Sequence, residues 1–193
     1  SGSRRVFREA GIPMAPGFED LSTPDDVARA LAELKKQCPD LDKAVVKINE
    51  GFSGEGNAVI GLKGAPQGSG LLDWVRGRLS QMAFEGGGMT WELYQSKLKA
   101  MGAIVEAFIP GEVKESPSVQ FRVDPLGRLE AISTHDQVLG GTNQQIFLGC
   151  RFPARADYRL ELQELATSAA KVLASKGVLG RFGLDFISVK EGD

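Results

Sequence analysis

The sequence is poor in the residues that build soft metal sites and paired nucleophile sites: 193 residues hold one histidine, His135, and two cysteines, Cys38 and Cys150. A Cys/His zinc set and a disulfide framework are therefore excluded, and any metal would have to be held by oxygen. Neither sign of charge dominates, with 23 Lys+Arg against 25 Asp+Glu and a formal charge of −2. The chain thus lacks the basic stripe that coats phosphate backbones or anionic lipid surfaces, and neither a nucleic-acid nor a membrane partner is expected. Long hydrophobic runs are missing too. Stretches such as Ala44 to Val46 and Ala103 to Val105 fall far short of the roughly 20 apolar residues a membrane helix needs. The opening residues Ser1, Gly2, Ser3, Arg4 and Arg5 have no apolar core of the secretory type, so a cytoplasmic setting is the expectation.

Glycine is the abundant residue, 24 of 193, against an average usage near 7%. Its positions punctuate a mixed pattern of helices and strands. Arg4 to Ala10 reads as a short helix closed by Gly11, followed by an extended stretch from Ala15 to Asp20. Ser22 or Thr23 caps a helix that begins with Pro24, Asp25 and Asp26, carries Val27, Leu31 and Leu34 on one face, and stops before Pro39. Strands are expected at Lys43 to Asn49 and Ala58 to Leu62, joined by a glycine-rich tip. Helical spacing returns at Leu71 to Met82 and at Trp91 to Met101, the second closed by Gly102. Ala103 to Ile109 reads as a strand ending at Pro110 and Gly111, a candidate hinge. Asp124, Pro125, Leu126 and Gly127 make a turn between the strands Val119 to Val123 and Leu129 to Thr134. An amphipathic helix from Leu160 to Lys176 and a final strand from Val178 to Val189 complete the reading.

Chemistry concentrates in a few places. Lys47 stands on a strand and is followed by Gly51, Phe52, Ser53, Gly54, Glu55, Gly56 and Asn57. A tip this poor in side chains lets backbone N–H groups converge on phosphate oxygens, with a lysine beside it as the cation. The same glycines also serve as ordinary turn residues. The segment does not match the Walker pattern, and no helix follows it. Lys47 either keeps a strand edge soluble or answers an anion. Glu106 interrupts the apolar Ala103 to Ile109, and a buried acid needs a donor, from a ligand or from the protein itself.

The order of these features resembles the ATP-grasp fold: a strand lysine with a glycine-rich hairpin, then the hinge sequence Val105-Glu106-Ala107-Phe108-Ile109-Pro110-Gly111, then the terminal Gly183-Leu184-Asp185-Phe186. Three segments narrow the likeness. Ser116-Pro117-Ser118-Val119-Gln120, the run from Ser133 to Gly141 and Gly149-Cys150-Arg151-Phe152-Pro153-Ala154 resemble the carboxylate–amine ligase branch that includes the pheganomycin-type peptide ligases. The resemblance implies an α+β fold of two lobes with ATP held between antiparallel sheets. It divides the chain into a linker helix over 1–14, a lid lobe over 15–102 that carries the hairpin, and a C-terminal lobe over 103–193 that ends before the last metal-binding strand.

The resemblance also assigns roles. Lys47 would contact the phosphates and the adenine edge, while Ser53, Gly54, Glu55, Gly56 and Asn57 form a phosphate lid. Glu106 and the Phe108 backbone would meet adenine, and Ser118 and Gln120 the ribose. His135, Asp136 and Gln137 would face phosphates or incoming substrate, Arg181 the γ-phosphate, and Asp185 a magnesium ion. The implied activity is ATP- and Mg2+-dependent ligation of a carboxylate to an amine, on small-molecule or peptide substrates, through an acylphosphate, with the fragment inactive alone. A non-catalytic nucleotide-binding or interaction module is the alternative, and a bicarbonate-activating carboxylase ranks below both.

Overall fold

The computed structural model describes residues 1–51, 56–85, 87–111, 114–141 and 146–190. Two compact units divide the chain. The first takes Ser1, Ala15–Ile109 and Gly140–Ile146; the second takes Gly2–Met14, Pro110–Leu139 and Phe147–Asp193.

In the first unit, β1 (Gly17–Leu21), β2 (Lys43–Ile48), β3 (Asn57–Gly61), β4 (Ala83–Phe84) and β5 (Ala103–Ala107) form an antiparallel sheet in the order β1-β5-β2-β3-β4. Helix α2 (Pro24–Gln37) starts at a reciprocal cap. The Thr23 hydroxyl accepts the Asp26 N–H at 3.1 Å, and the Asp26 carboxylate accepts the Thr23 N–H at 2.9 Å. Its buried residues Val27, Leu31 and Leu34 pack against Ala44, Val46, Ile60 and Val105 of the sheet. Strand alternation leaves Val45 and Lys47 on the opposite face of β2. Helix α4 (Trp91–Met101) buries Tyr94, whose hydroxyl donates to the Val46 carbonyl at 3.2 Å. It ends at Gly102, which has φ of 73°, and a Cβ there would meet Asn49 Nδ2 at 3.0 Å and the Leu21 carbonyl at 3.3 Å. Space and backbone conformation both call for glycine.

Two elements differ from the sequence pattern. The helix expected over 71–82 is cut to α3 (Leu71–Arg76), followed by a tight turn at Leu79–Gln81. Gly77 interrupts it, and Arg76 ties α3 to α2 through Asp25 at 2.6 Å. Strand β5, assigned by sequence to the C-terminal lobe, lies between β1 and β2. Both of its edges are hydrogen-bonded in the first unit, so the division falls between Ile109 and Pro110.

In the second unit, β6 (Lys114–Val123), β7 (Leu129–Gly140) and β8 (Ile146–Arg151) follow in sheet order, and β9 (Gly180–Asp185) and β10 (Ser188–Val189) both pair with β6. The single strand expected over 178–189 is thus two, joined across Phe186, whose N–H bonds the Pro117 carbonyl at 2.8 Å. Helix α5 (Arg159–Ser175) presents Ala166, Ala169 and Ala170 to Val119, Phe121 and Leu184. Helix α1 (Gly2–Glu9) is part of this unit. Val6 and Phe7 pack on the same core, and Glu9 pairs with Lys176 at 2.8 Å. Among the described residues, no helix is long and apolar enough to cross a membrane.

Candidate functional site

On the first unit, Lys47 and Glu106 find each other. Lys47 Nζ lies 2.8 Å from Glu106 Oε2, with the two side chains 35% and 16% exposed. Register explains the pairing: Val45 stands opposite Glu106 and Lys47 opposite Ile104, so the charges meet on a diagonal between β2 and β5. Each answers the other's need for a partner, while the partial exposure leaves an edge of the pair to solvent. Beside it, Val45 and Val59 face one another across β2 and β3, 5% and 6% exposed, on the face turned away from α2. They form a buried apolar floor next to the ion pair. Sequence reasoning missed both valines, although the i, i+2 spacing of Val45 and Lys47 already placed them on one face. The Phe108 N–H donates to the Lys43 carbonyl at 3.1 Å, and so is engaged within this unit. At the hairpin tip, Gly56 has φ of 91° and its carbonyl accepts the Ile48 N–H at 3.3 Å; Asn57 opens β3 opposite Lys47. Ser53, Gly54 and Glu55 lie outside the described residues.

On the second unit, the remaining candidates share one face of one sheet. His135, Ser118 and Asp185 form one cross-strand row through β7, β6 and β9. The next row is Ser133, Gln120 and Gly183, and on the other side Gln137 stands opposite Ser116. Arg181 lies on the same face, opposite Arg122. The other face, with Val119, Phe121 and Leu184, is the core. Ser118 is 1% exposed, and its hydroxyl accepts the Gln120 amide at 2.9 Å, which makes Gln120 the outward group of that pair. Gln120 lies over Gly183 so closely that a Cβ at 183 would sit 2.5 Å from Nε2. Gln137 Nε2 donates to Ser116 Oγ at 3.3 Å. Asp185 is exposed, and neither it nor His135 has a side-chain hydrogen bond or ion pair with another described residue. A carboxylate in this state suits a hard cation such as magnesium.

Asp136 is a correction. Sequence reasoning grouped it with His135 and Gln137, but alternation along β7 turns it to the opposite face, where it is 5% exposed. There it accepts the Arg155 N–H at 3.0 Å and the Tyr158 hydroxyl at 2.6 Å. Burial, and then that hydrogen bond to a carboxylate, push the Tyr158 hydroxyl well above its ordinary pKa. Asp136 therefore anchors the connection leading into α5.

The geometry can be set beside known proteins. A family model described as "IQCH-like, ATP-grasp" matches residues 1–66 and 73–193. L-propargylglycine–L-glutamate ligase of Streptantibioticus cattleyicolor is 36% identical over 100 residues, which cover 52% of this chain and 20% of that protein. IQ motif-containing protein H of Danio rerio is 22% identical across 97% of this chain and 20% of its own length. The chain thus spans about a fifth of the length of each relative. Among solved structures, the biotin carboxylase domain of Hydrogenobacter thermophilus 2-oxoglutarate carboxylase, in complex with MgADP, ADP and bicarbonate, superposes with a TM-score of 0.64. It is 19% identical, and the match covers 99% of this chain and 36% of that one. An ADP complex of N5-carboxyaminoimidazole ribonucleotide synthetase gives 0.58 at 21% identity, over 96% of this chain and 40% of that one. These likenesses establish the two-lobed α+β architecture, and with the family match over nearly the whole sequence, the chain belongs to the IQCH-like ATP-grasp family.

Proposed function

We propose that this chain is the nucleotide-binding core of an ATP- and Mg2+-dependent ligase that joins a carboxylate to an amine. The observation that carries the reading is the gathering of Ser118, Gln120, His135, Gln137, Arg181 and Asp185 on one polar sheet face that takes no part in the core. Residues drawn from three distant segments share that face, and maintaining the fold does not require them to be there. The 36% identity with a ligase points the same way.

In this reading the Val45–Val59 floor takes the adenine ring, and Glu106 and the Phe108 carbonyl accept from its amino group. Lys47, held by Glu106, directs its ammonium to phosphate. Gln120, steadied by Ser118, meets the ribose. Asp185 binds magnesium, which supplies charge neutralisation to the phosphates. His135 and Gln137 donate toward the oxygens of the reacting groups, and Arg181 adds a cation farther along the same face, beyond the nucleotide. Two anions must be brought together in phosphoryl transfer to a carboxylate, so a surface of donors and cations is what the reaction asks of the protein. The substrates are small-molecule or peptide carboxylates and amines.

A second reading is a module that binds nucleotide without chemistry. Its support is that Asp185 stands without a second acid in its row, and that the described residues contain no cluster of three His, Cys, Asp or Glu side chains able to hold a metal. Calorimetry with ATP, with and without Mg2+, followed by amide formation assayed on a longer chain that includes this one, separates the two. Binding strengthened by Mg2+ and lost in Asp185→Asn, together with turnover, supports the ligase. Binding without turnover leaves the module, and no binding by the folded chain rejects both.

A further inference from the structure

We infer that Arg122 and Arg181 together form a clamp for a carboxylate group of the ligase's substrate, distinct from the contacts made to the nucleotide. The inference rests on the ligase reading for the identity of the ligand, but the clamp itself rests on register. Arg122 of β6 stands directly opposite Arg181 of β9. The pairing between these two strands runs without a bulge from Ser118–Asp185 to Val123–Gly180, so both arginines share the face of Gln120 and Asp185.

Like charges directly opposite on an antiparallel pair destabilise a sheet. Here the row holds one acid for two guanidinium groups: Glu130, which lies opposite Arg122 and approaches it at 3.5 Å. Both members of that ion pair are about half exposed or more, at 49% and 64%, so it offsets little. Arg181 is exposed, and its side chain has no ion pair or hydrogen bond with another described residue. Between the arginines and the Asp185 row lies Gly183, overlaid by the Gln120 carboxamide. The arginine row is thus separated from Asp185 by four residues, about 13 Å along the strand.

Strand β6 begins just after Pro110, and the face reads outward from there in order: Ser116, the Ser118–Asp185 row, Gln120, then the arginines. A nucleotide whose phosphates reach Asp185 from the Ser116 end of this face leaves the arginine row for whatever is bound beyond the phosphates. In a ligase that position belongs to the substrate. Two forked guanidinium groups on neighbouring strands match the planar, bidentate geometry of a carboxylate.

The test uses the 193-residue chain labelled with 15N and titrated separately with succinate and with MgADP. Succinate should shift the amides of Arg122, Arg181 and Gly183. Arg122→Gln or Arg181→Gln should each weaken succinate binding about tenfold and leave MgADP affinity within about twofold, whereas Lys171→Gln on α5 should change neither. Thermal stability of Arg181→Gln should equal or exceed that of the wild type, because a like-charge contact is removed; a merely structural arginine would lower it. Failure of succinate to shift these amides in the wild type overturns the clamp, as does an equal loss in Lys171→Gln. A matching loss of MgADP affinity would assign the arginines to the nucleotide and overturn it as well. If succinate behaves as expected and MgADP does not bind, the clamp stands and the ligase reading fails.

Discussion

The two units spend their side chains differently. In the first, a fourteen-residue capped helix lies on a five-stranded sheet, and the core runs through large residues such as Leu31, Leu34, Leu62, Tyr94 and Leu98, none more than 1% exposed. In the second, the helix facing the sheet offers three alanines, so Val119, Phe121 and Leu184 bear most of the packing. Apolar side chains also stay at the surface there, with Phe152, Leu148, Leu160 and Leu179 each 60% exposed or more. A deep core lets the first unit hold a partly exposed ion pair on its far face at little risk. A thin core leaves the second more dependent on each large residue, while one whole sheet face is given to polar groups. The first unit has the deeper core, and the second gives a whole sheet face to polar groups.

The largest test of this contrast is Phe121→Ala. Phe121 is 1% exposed and stacks on Phe182 at 5.9 Å, so its loss should cost about 3–5 kcal/mol. Hydrogen exchange should then show fast amides in β6, β7 and β9 while α2 and β2 stay protected. Equal loss of protection in both units would mean that they unfold as one, and the contrast would be without consequence for stability.

Next in size is Lys47→Ala, which should weaken ATP binding roughly ten- to a hundredfold through loss of a charge-assisted contact worth about 1.5–3 kcal/mol. The structure sharpens this expectation, because the substitution also removes the ion pair from Glu106. Adenosine should therefore lose some affinity too, though less than ATP. Calorimetry with both ligands measures the difference; identical losses would make Lys47 a supporting residue of the sheet.

The smallest effect is Thr23→Ala at the cap of α2, about 1 kcal/mol by denaturant melting. It carries a pH signature. The Thr23 hydroxyl first, then the Ser22 and Thr23 N–H groups, hold the Asp26 carboxyl below its ordinary value of 3.8. A lowered folded-state value means the cap's contribution is present above that ordinary value and is lost as pH falls through the lower one. The gap between wild type and variant should thus narrow under acid, leaving the pH-independent bond from the Asp26 N–H to the Thr23 hydroxyl. A gap that does not change with pH would show that the Asp26 carboxylate is not part of the cap's energetics.

Local patterns were read well because their causes are local. Caps, glycine stops and helical spacing located α2, α4 and α5 within a residue or two, and short apolar runs on either side of a glycine-rich tip located β2 and β3. The order of strand lysine, glycine-rich hairpin, hinge and terminal Gly-Leu-Asp-Phe pointed to the ATP-grasp fold, which the family match over residues 1–66 and 73–193 bears out. Partnership was decided only by the tertiary structure, since it depends on which strands lie side by side. Lys47 and Glu106 are 59 positions apart in sequence and meet because β5 inserts beside β2. Asp136 turns away from His135 because a strand sends successive side chains to opposite faces, and here one of those faces is covered by α5. Arg122 is a lone surface charge in the sequence and meets Arg181 only because β9 pairs with β6. The sequence by itself determined where most helices and strands form, the segments 71–82 and 178–189 excepted, and which residue types were available for phosphate, base and metal. Which of those residues face one another follows from long-range register, and no local propensity encodes that.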